Sequence, residues 1–297
     1  MLSRSAILKK SGIKVICRDQ RDFPPQLRLI AEPPALLYIQ GDPSVLLRPS
    51  VSVVGSRQAS EYGKRQTRQF TDYLAKRGVV IVSGLAYGID LTAHQTAISS
   101  GPSVAVIAGG LDVALMSWQE ELAKKIIRAG GAIVSEYAPG EPALKYHFPE
   151  RNRIIAGLSP VTLVSEAREH SGALITARLA VESGRTLMCI PHDLERSTAQ
   201  GSNRLLRDGA NVAIAPQDVL QELTRHLSEQ EALELSKADP SPAAGILKAL
   251  KKPHSVEDLV TEMQRSAGAL LTELTELELS GKIKRLTDGR FARVESE

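Results

Sequence analysis

Cysteine is nearly missing from this sequence. Cys17 and Cys189 are the two present, they stand in unlike contexts, and they supply neither a disulfide framework nor a zinc site of C-x-x-C spacing. Both read as inert packing residues. Aromatics are scarce as well, at 4%, so the core has to be aliphatic. No apolar run nears the roughly 18 residues of a membrane span, and the opening "MLSRSAILKKSGIK" lacks the apolar stretch of a secretory signal. The chain therefore reads as cytoplasmic, with no membrane partner. Neither sign of charge dominates: 37 Lys and Arg against 34 Asp and Glu leave a net +3, too little to name a partner, so the distribution of charge matters more than its total. Several motifs are absent too. His94, His147, His170, His192, His226 and His254 form no H-E-x-x-H or i, i+4 pair, which argues against a metal site. There is no G-x-x-x-x-G-K-[ST] of a P-loop ATPase, and Ser171 in "HSGAL" lacks the G-x-S-x-G elbow.

What is present is a recurring alternation. Short β-branched runs, "VSVVG" (51–55), "VVIVSG" (79–84), "SVAVIAG" (103–109), "AIVSE" (132–136), "VTLVSE" (161–166), "TLMCIP" (186–191) and "NVAIA" (211–215), are separated by amphipathic stretches. Nearly continuous apolar strands between helices predict a mostly parallel sheet covered on both faces, a doubly wound, Rossmann-like α/β domain. It spans residues 36–226, starting at "ALLYIQG" and closing after "PQDVLQELTRH". Residues 1–35, with Pro24, Pro25, Pro33 and Pro34, read as an extended lead-in. Residues 227–242 turn acidic and then Pro/Ser-rich, a helical tail and linker. Beyond them, 243–297 carry three helical periods, a near capping box at Ser255 and Asp258, and two alternating strands around Asp288-Gly289. That pattern predicts a winged helix. Its third helix carries Glu273, Glu276 and Glu278 without Lys or Arg, and the segment holds nine basic and nine acidic residues. Such a helix suits protein contact or structural support better than duplex DNA.

In open α/β sheets ligands bind outside the carboxyl ends of the strands, at the switch point. Here those ends read "GSR" (55–57), "SGLAYGID" (83–90), "AGGLD" (108–112) and "SEAREHSGALITA" (165–177). Ser83, Gly84, Gly88 and Gly110 let backbone N–H groups approach a ligand, and helices opening near Ile89 and Ser171 aim positive dipole ends into the crevice. Two readings stand for Gly84 and Gly88: an anion cradle, or close helix-to-strand packing. A dinucleotide is disfavoured, because only "GSRQAS" follows the first strand and the second ends in Ser83-Gly84 rather than an acid. Asp90, Asp112 and Glu136 are the acid–base candidates at the sheet top, with Asp90 equally suited to stabilising a helix dipole.

The segment "KYHFPERNRIIAG" (145–157) supplies cations and a ring, Lys145, Phe148, Arg151 and Arg153, and residues 145–207 hold nine basic against six acidic side chains. Cations for phosphates beside a ring for a base is what single-stranded nucleic acid requires. The competing reading pairs Arg151 and Arg153 with Glu150 and Glu166.

"VVGSR", "SGLAYGIDLTAH", "FPERNRIIAGLS", "EAREHSGALITARLAVESGR" and "NRLLRDGA", in this order and spacing over about residues 22–220, resemble the DNA-processing protein A family (DprA, also called Smf). The tail resembles the winged helix common at that family's C-terminus. The resemblance implies a Rossmann-like domain that binds single-stranded DNA without cleaving it, protects it, and helps a RecA-type recombinase load during natural transformation, commonly as a homodimer and without a cofactor. Carried over by motif, Arg57, Lys145, Phe148, Arg151 and Arg153 line the DNA groove. Three departures stand out. After "GGLD" the family usually has Tyr-Pro and then Asn, where this chain has Leu115, Met116 and Gln119; His192 replaces a general Gly; and the sequence begins almost at the Rossmann lead-in, without the helical domain of many members. Two rivals remain. The sheet and glycine loops also resemble the nucleotide phosphoribohydrolases of the lysine-decarboxylase-like (LOG) group, although "EAREHSGALITA" lacks that group's paired glycines and its Glu. The other is a scaffold that binds only proteins, through the winged helix.

Overall fold

The computed structural model describes residues 12–113, 115–237, 246–247, 249–250, 252–263, 266–279, 281–286 and 288–294. The chain divides into two units, Met1–Ser236 and Lys237–Glu297. Among the described residues the first unit holds a nine-stranded sheet. Its strands are β1 (Lys14–Cys17), β2 (Leu36–Gly41), β3 (Ser50–Gly55), β4 (Val80–Ser83), β5 (Ser103–Val106), β6 (Ala132–Ser135), β7 (Val161–Glu166), β8 (Thr186–Cys189) and β9 (Asn211–Val212). They lie in the order β1-β2-β6-β5-β4-β3-β7-β8-β9. From β6 to β9 every neighbouring pair is parallel, whereas β1–β2 and β2–β6 are antiparallel. The chain winds from β3 outward to β6 on one side and from β7 to β9 on the other, so the switch point lies between β3 and β7.

The helices follow the apolar spacing. Helix α1 is Pro25–Arg28; α2, Glu61–Lys76; α3, Ile89–Ala97; α4, Ser117–Arg128; α5, His147–Leu158; α6, Gly172–Glu182; α7, Gln200–Arg207; α8, Pro216–Thr224; and α9, Glu229–Lys237. In α2 the buried positions Gly63, Thr67, Phe70, Thr71, Leu74 and Ala75 recur at helical spacing, and Ser60 caps the first turn by accepting the Gly63 N–H at 3.1 Å. Burial of β3 on nearly every residue reflects cover on both faces. One core joins Val54, Val82, Val106 and Val134 to Leu158 and Ala177, and another joins Val53, Ile81 and Leu163 to Phe70, Leu74 and Leu223.

The lead-in expected over residues 1–35 needs correction. Strand β1 extends the sheet, and Phe23, Leu27 and Ile30 are buried in the first core, Leu27 and Ile30 lying against α5 where Gly157 leaves room for them. Residues 229–237 of the expected linker segment are helical, as α9, with Leu235 in the second core; residues 238–242 lie outside the described residues.

The second unit contains α10 (Val256–Met263), α11 (Ala267–Leu279) and an antiparallel hairpin of β10 (Ile283–Arg285) and β11 (Phe291–Arg293). Its own core gathers Ile246, Leu250, Leu259, Leu270, Leu274, Leu277, Ile283 and Phe291. The capping pair is formed: Ser255 N–H donates to Asp258 Oδ2 at 2.9 Å, and Asp258 N–H to Ser255 Oγ at 3.1 Å. The bonds that the carboxylate accepts from the Ser255 N–H and the Ser255 hydroxyl hold the Asp258 carboxyl below its ordinary range.

Candidate nucleic-acid interface

A cleft of about 440 Å³ opens at the switch point, between the end of β3 and the start of α6. Arg57 and Gln58 come from the loop after β3, Phe148 and Asn152 from α5, and Arg168, His170 and Ser171 from the loop after β7. Arg57, Phe148, Arg168 and His170 are all exposed. The Arg57 guanidinium lies over the Phe148 ring, 5.8 Å from its centroid, a cation–π pair built from two residues 91 positions apart. Helix α6 opens on the cleft. Ser171 caps it by accepting the Ala173 N–H at 3.2 Å, and open space surrounds Gly172 where a side chain would stand.

The structure thus brings Arg57 and Phe148 together and separates most other candidates from them. Ser83 is fully buried, its hydroxyl donating to the Val53 carbonyl at 2.6 Å. Gly84, Gly88 and Gly110 are buried as well. At Gly88, with φ at +87°, an added Cβ would strike the carbonyl oxygens of Ser56 and Arg57. The N-terminus of α3 is filled from within, because Ile89 N–H donates to the Ser56 carbonyl at 3.2 Å. Close packing therefore explains this glycine, and the dipole end expected at Ile89 faces the protein's own backbone. Gly110 donates its N–H to the Glu141 carbonyl at 2.8 Å and lines a neighbouring apolar cavity instead of the cleft.

The two later arginines are engaged internally. Arg151 is 6% exposed, donates from Nη1 to the Val106 carbonyl and is held beside Asp90. Burial lowers its pKa to about 10 despite the Asp90 charge, and burial raises the Asp90 carboxyl to about 6 against the pull of Arg151. Arg153 Nη2 bonds both carboxylate oxygens of Glu136 at 2.8 Å and lines neither cavity. Their partners are thus Asp90 and Glu136, not Glu150 and Glu166. Glu150 accepts from the Tyr137 hydroxyl at 3.0 Å, and the fully buried Glu166 accepts the Ser60 hydroxyl at 2.6 Å. Lys145 is exposed on the turn before α5, outside both cavities. Among the departures, His192 contacts the Ser165 carbonyl through Nε2 at 2.7 Å and sets its ring edge-on to Tyr62.

Arg168, His170 and Asn152 join the cleft without having been singled out from sequence. Their signal lay in "EAREHSGAL" and "RNR", but only the β3–β7 adjacency shows that they share a wall with Arg57.

Residues 14–224 match the family of DNA recombination-mediator protein A, and residues 230–289 match the DprA winged helix domain. Protein Smf of Escherichia coli is 37% identical over 95% of this chain and 78% of its own length. DNA processing protein DprA of Streptococcus pneumoniae is 41% identical over 67% of this chain and 71% of its own. Its crystal structure superposes with a TM-score of 0.68, covering 73% of this chain and 77% of that one at 38% identity. The Helicobacter pylori DNA processing protein A, described for its single-stranded DNA binding mode, superposes at 0.65 with 29% identity over 73% of this chain and 97% of that one. With both domains matched in order and these relatives aligned over most of its length, the chain belongs to the DNA recombination-mediator protein A family.

Proposed function

We propose that this chain binds single-stranded DNA across the switch-point cleft, holds it without cutting it, and passes it as a homodimer to a RecA-type recombinase during natural transformation. The observation that carries the reading is the Arg57 guanidinium over the Phe148 ring at the cleft mouth. A cation for phosphate and a ring for a base then sit within one nucleotide's reach, with the opening of α6 beside them. The single-stranded DNA binding named for the Helicobacter pylori relative supports the same ligand. The hand-off to a recombinase, the homodimer and the setting in transformation rest on family membership. The hydrolase alternative is disfavoured. Glu166 is fully buried, accepts from the Ser60 hydroxyl and lines neither cavity, and Asp90, although it lines the cleft, is 8% exposed and held beside the Arg151 guanidinium. Family members are DNA-processing proteins and not known enzymes.

Fluorescence anisotropy with labelled oligo-dT, a duplex and a nucleotide tests the binding. Oligo-dT binds more tightly than duplex, its affinity falls as salt rises, and the nucleotide is not turned over. Arg57→Ala weakens oligo-dT and flattens the salt slope by about one unit. Phe148→Leu costs about 1–3 kcal/mol with little change in slope. Equal affinity for both DNA forms without salt dependence overturns the proposal.

A further inference from the structure

Helix α2 opens with "EYGKR" (61–65), which sets Tyr62 and Arg65 three residues apart and so on one face. The Tyr62 hydroxyl donates to the Pro191 carbonyl at 3.2 Å, fastening the start of α2 to the loop after β8. That loop is held from α7 too: His192 N–H donates to Asn203 Oδ1, and Asn203 Nδ2 donates to the His192 carbonyl, both at 3.2 Å. The His192 ring, where the resembled pattern generally has Gly, stands edge-on to Tyr62 with centroids 5.0 Å apart. Four residues further on, Arg196 places its guanidinium 5.9 Å from the Tyr62 centroid, and Arg65 places another at 5.4 Å.

Two cations thus converge on one half-buried ring, and among the described residues no carboxylate answers either of them. Glu61 is taken by Lys64 at 2.9 Å, and Asp193 accepts the Glu195 N–H at 3.0 Å. A ring attracts a cation through its quadrupole but has no net charge, so the two guanidiniums keep their mutual repulsion. An anion beside them relieves it. The position of the cluster says which anion. Gln58, four residues before Tyr62, lines the switch-point cleft, and so does Arg168. Strands β3, β7 and β8 are neighbours in the sheet, and the loops that follow them carry Arg57, Arg168 and Arg196 in that order. With neighbouring strands about 4.8 Å apart, the three strand ends span about 10 Å. The row of cations therefore leaves the cleft along the carboxyl ends of the strands, toward β8.

We propose that a single strand bound in the cleft continues over the ends of β7 and β8, where Arg65 and Arg196 hold its next phosphates and Tyr62 and His192 are the rigid support beneath them. The proposal rests on the DNA-binding reading above. A polyanion fits better than a free anion, because the cluster continues a row of cations that begins inside the cleft.

Anisotropy with labelled oligo-dT of about 4 and about 15 nucleotides separates the two parts of the path. The short strand is satisfied by the cleft; the long one reaches the loop after β8. Arg196→Ala, checked by thermal melting, leaves short-strand affinity as it was, weakens the long strand about threefold or more at low salt, and flattens its salt slope by about one unit. Arg65→Ala does the same, and Arg196→Lys, which keeps the charge, binds the long strand nearly as wild type does. Arg128→Ala removes an equal charge from the end of α4, just before β6 begins, and changes neither strand. If Arg196→Ala binds the long strand like wild type, weakens short and long strands alike, or is matched by Arg128→Ala, the extended path is overturned and the DNA-binding reading stands. If the wild-type chain binds neither strand, both are overturned.

Discussion

Asp90 and Arg151 behave unlike a pair of surface ligands, because both line the cleft from buried positions and each shifts the other. Gly84 is a glycine for their sake: a Cβ there would strike Asp90 Oδ2 and crowd both terminal nitrogens of Arg151. Burial raises the Asp90 carboxyl from the ordinary 3.8 to about 6, with Arg151 opposing the rise. Between those values the folded state keeps a proton that the unfolded chain has released, so the slope of stability against pH is negative. The Asp90 contribution is complete below about pH 4 and is lost as pH rises through about 6. The unfolding free energy of wild type minus that of Asp90→Asn, from urea melts, accordingly falls between about pH 4 and 6 and is level up to pH 8. A difference that grows with pH over that window would show that Asp90 ionises easily and is not desolvated. At this scale the sequence was legible for Arg57 and Phe148, through the motif resemblance. For Arg151 and Arg153 it displayed charges but not the carboxylates that answer them, so it did not show that Arg151 meets the cleft from a buried position beside Asp90 or that Arg153 is taken up by Glu136. Glu136 is 17 residues from Arg153, and Asp90 is on another helix altogether.

The two helix openings at the sheet top look alike in sequence, each with a glycine between a strand and a helix, and they do opposite things. At α3 the glycine is locked by φ +87° against the β3 loop; at α6 Gly172 has open space around it and lines the cleft. Gly88→Ala therefore destabilises by more than the about 1 kcal/mol expected of a left-handed position alone, since a backbone must move. Gly172→Glu leaves the melting temperature close to wild type and places a carboxylate in the cleft, so oligo-dT binding falls. Thermal melts and anisotropy on the two variants check this; a Gly88→Ala protein that melts like wild type would return that loop to the role of a ligand cradle. The parallel strands were readable because burial on both faces forces unbroken apolar runs, as in "VSVVG" and "VTLVSE". Strand β1 was not. Its four residues lie at the sheet edge with partial exposure, and only the antiparallel pairing with β2 makes them a strand.

Across the whole molecule the two units carry separate cores, and their surfaces differ in what they offer a polyanion. The switch-point cleft collects exposed Arg57, Arg168 and His170. In the winged-helix unit, α11 carries Glu273, Glu276 and Glu278 in thirteen residues that include no Lys or Arg. A recognition helix of that composition repels phosphates at the distance where docking begins, whatever its fold suggests. The unit is thus suited to a protein or to supporting the chain, and DNA affinity should reside in the sheet. A chain of residues 1–236, which retains the sheet, both of its main cores and Leu235, is expected to melt cooperatively and to bind oligo-dT with the affinity and salt slope of the full chain. Duplex binding should be equally weak in both. If truncation removes salt-dependent duplex binding that the full chain possesses, the winged helix reads DNA in spite of its acidic third helix, and the basic residues of its hairpin, Lys284, Arg285 and Arg293, become the ones to replace first.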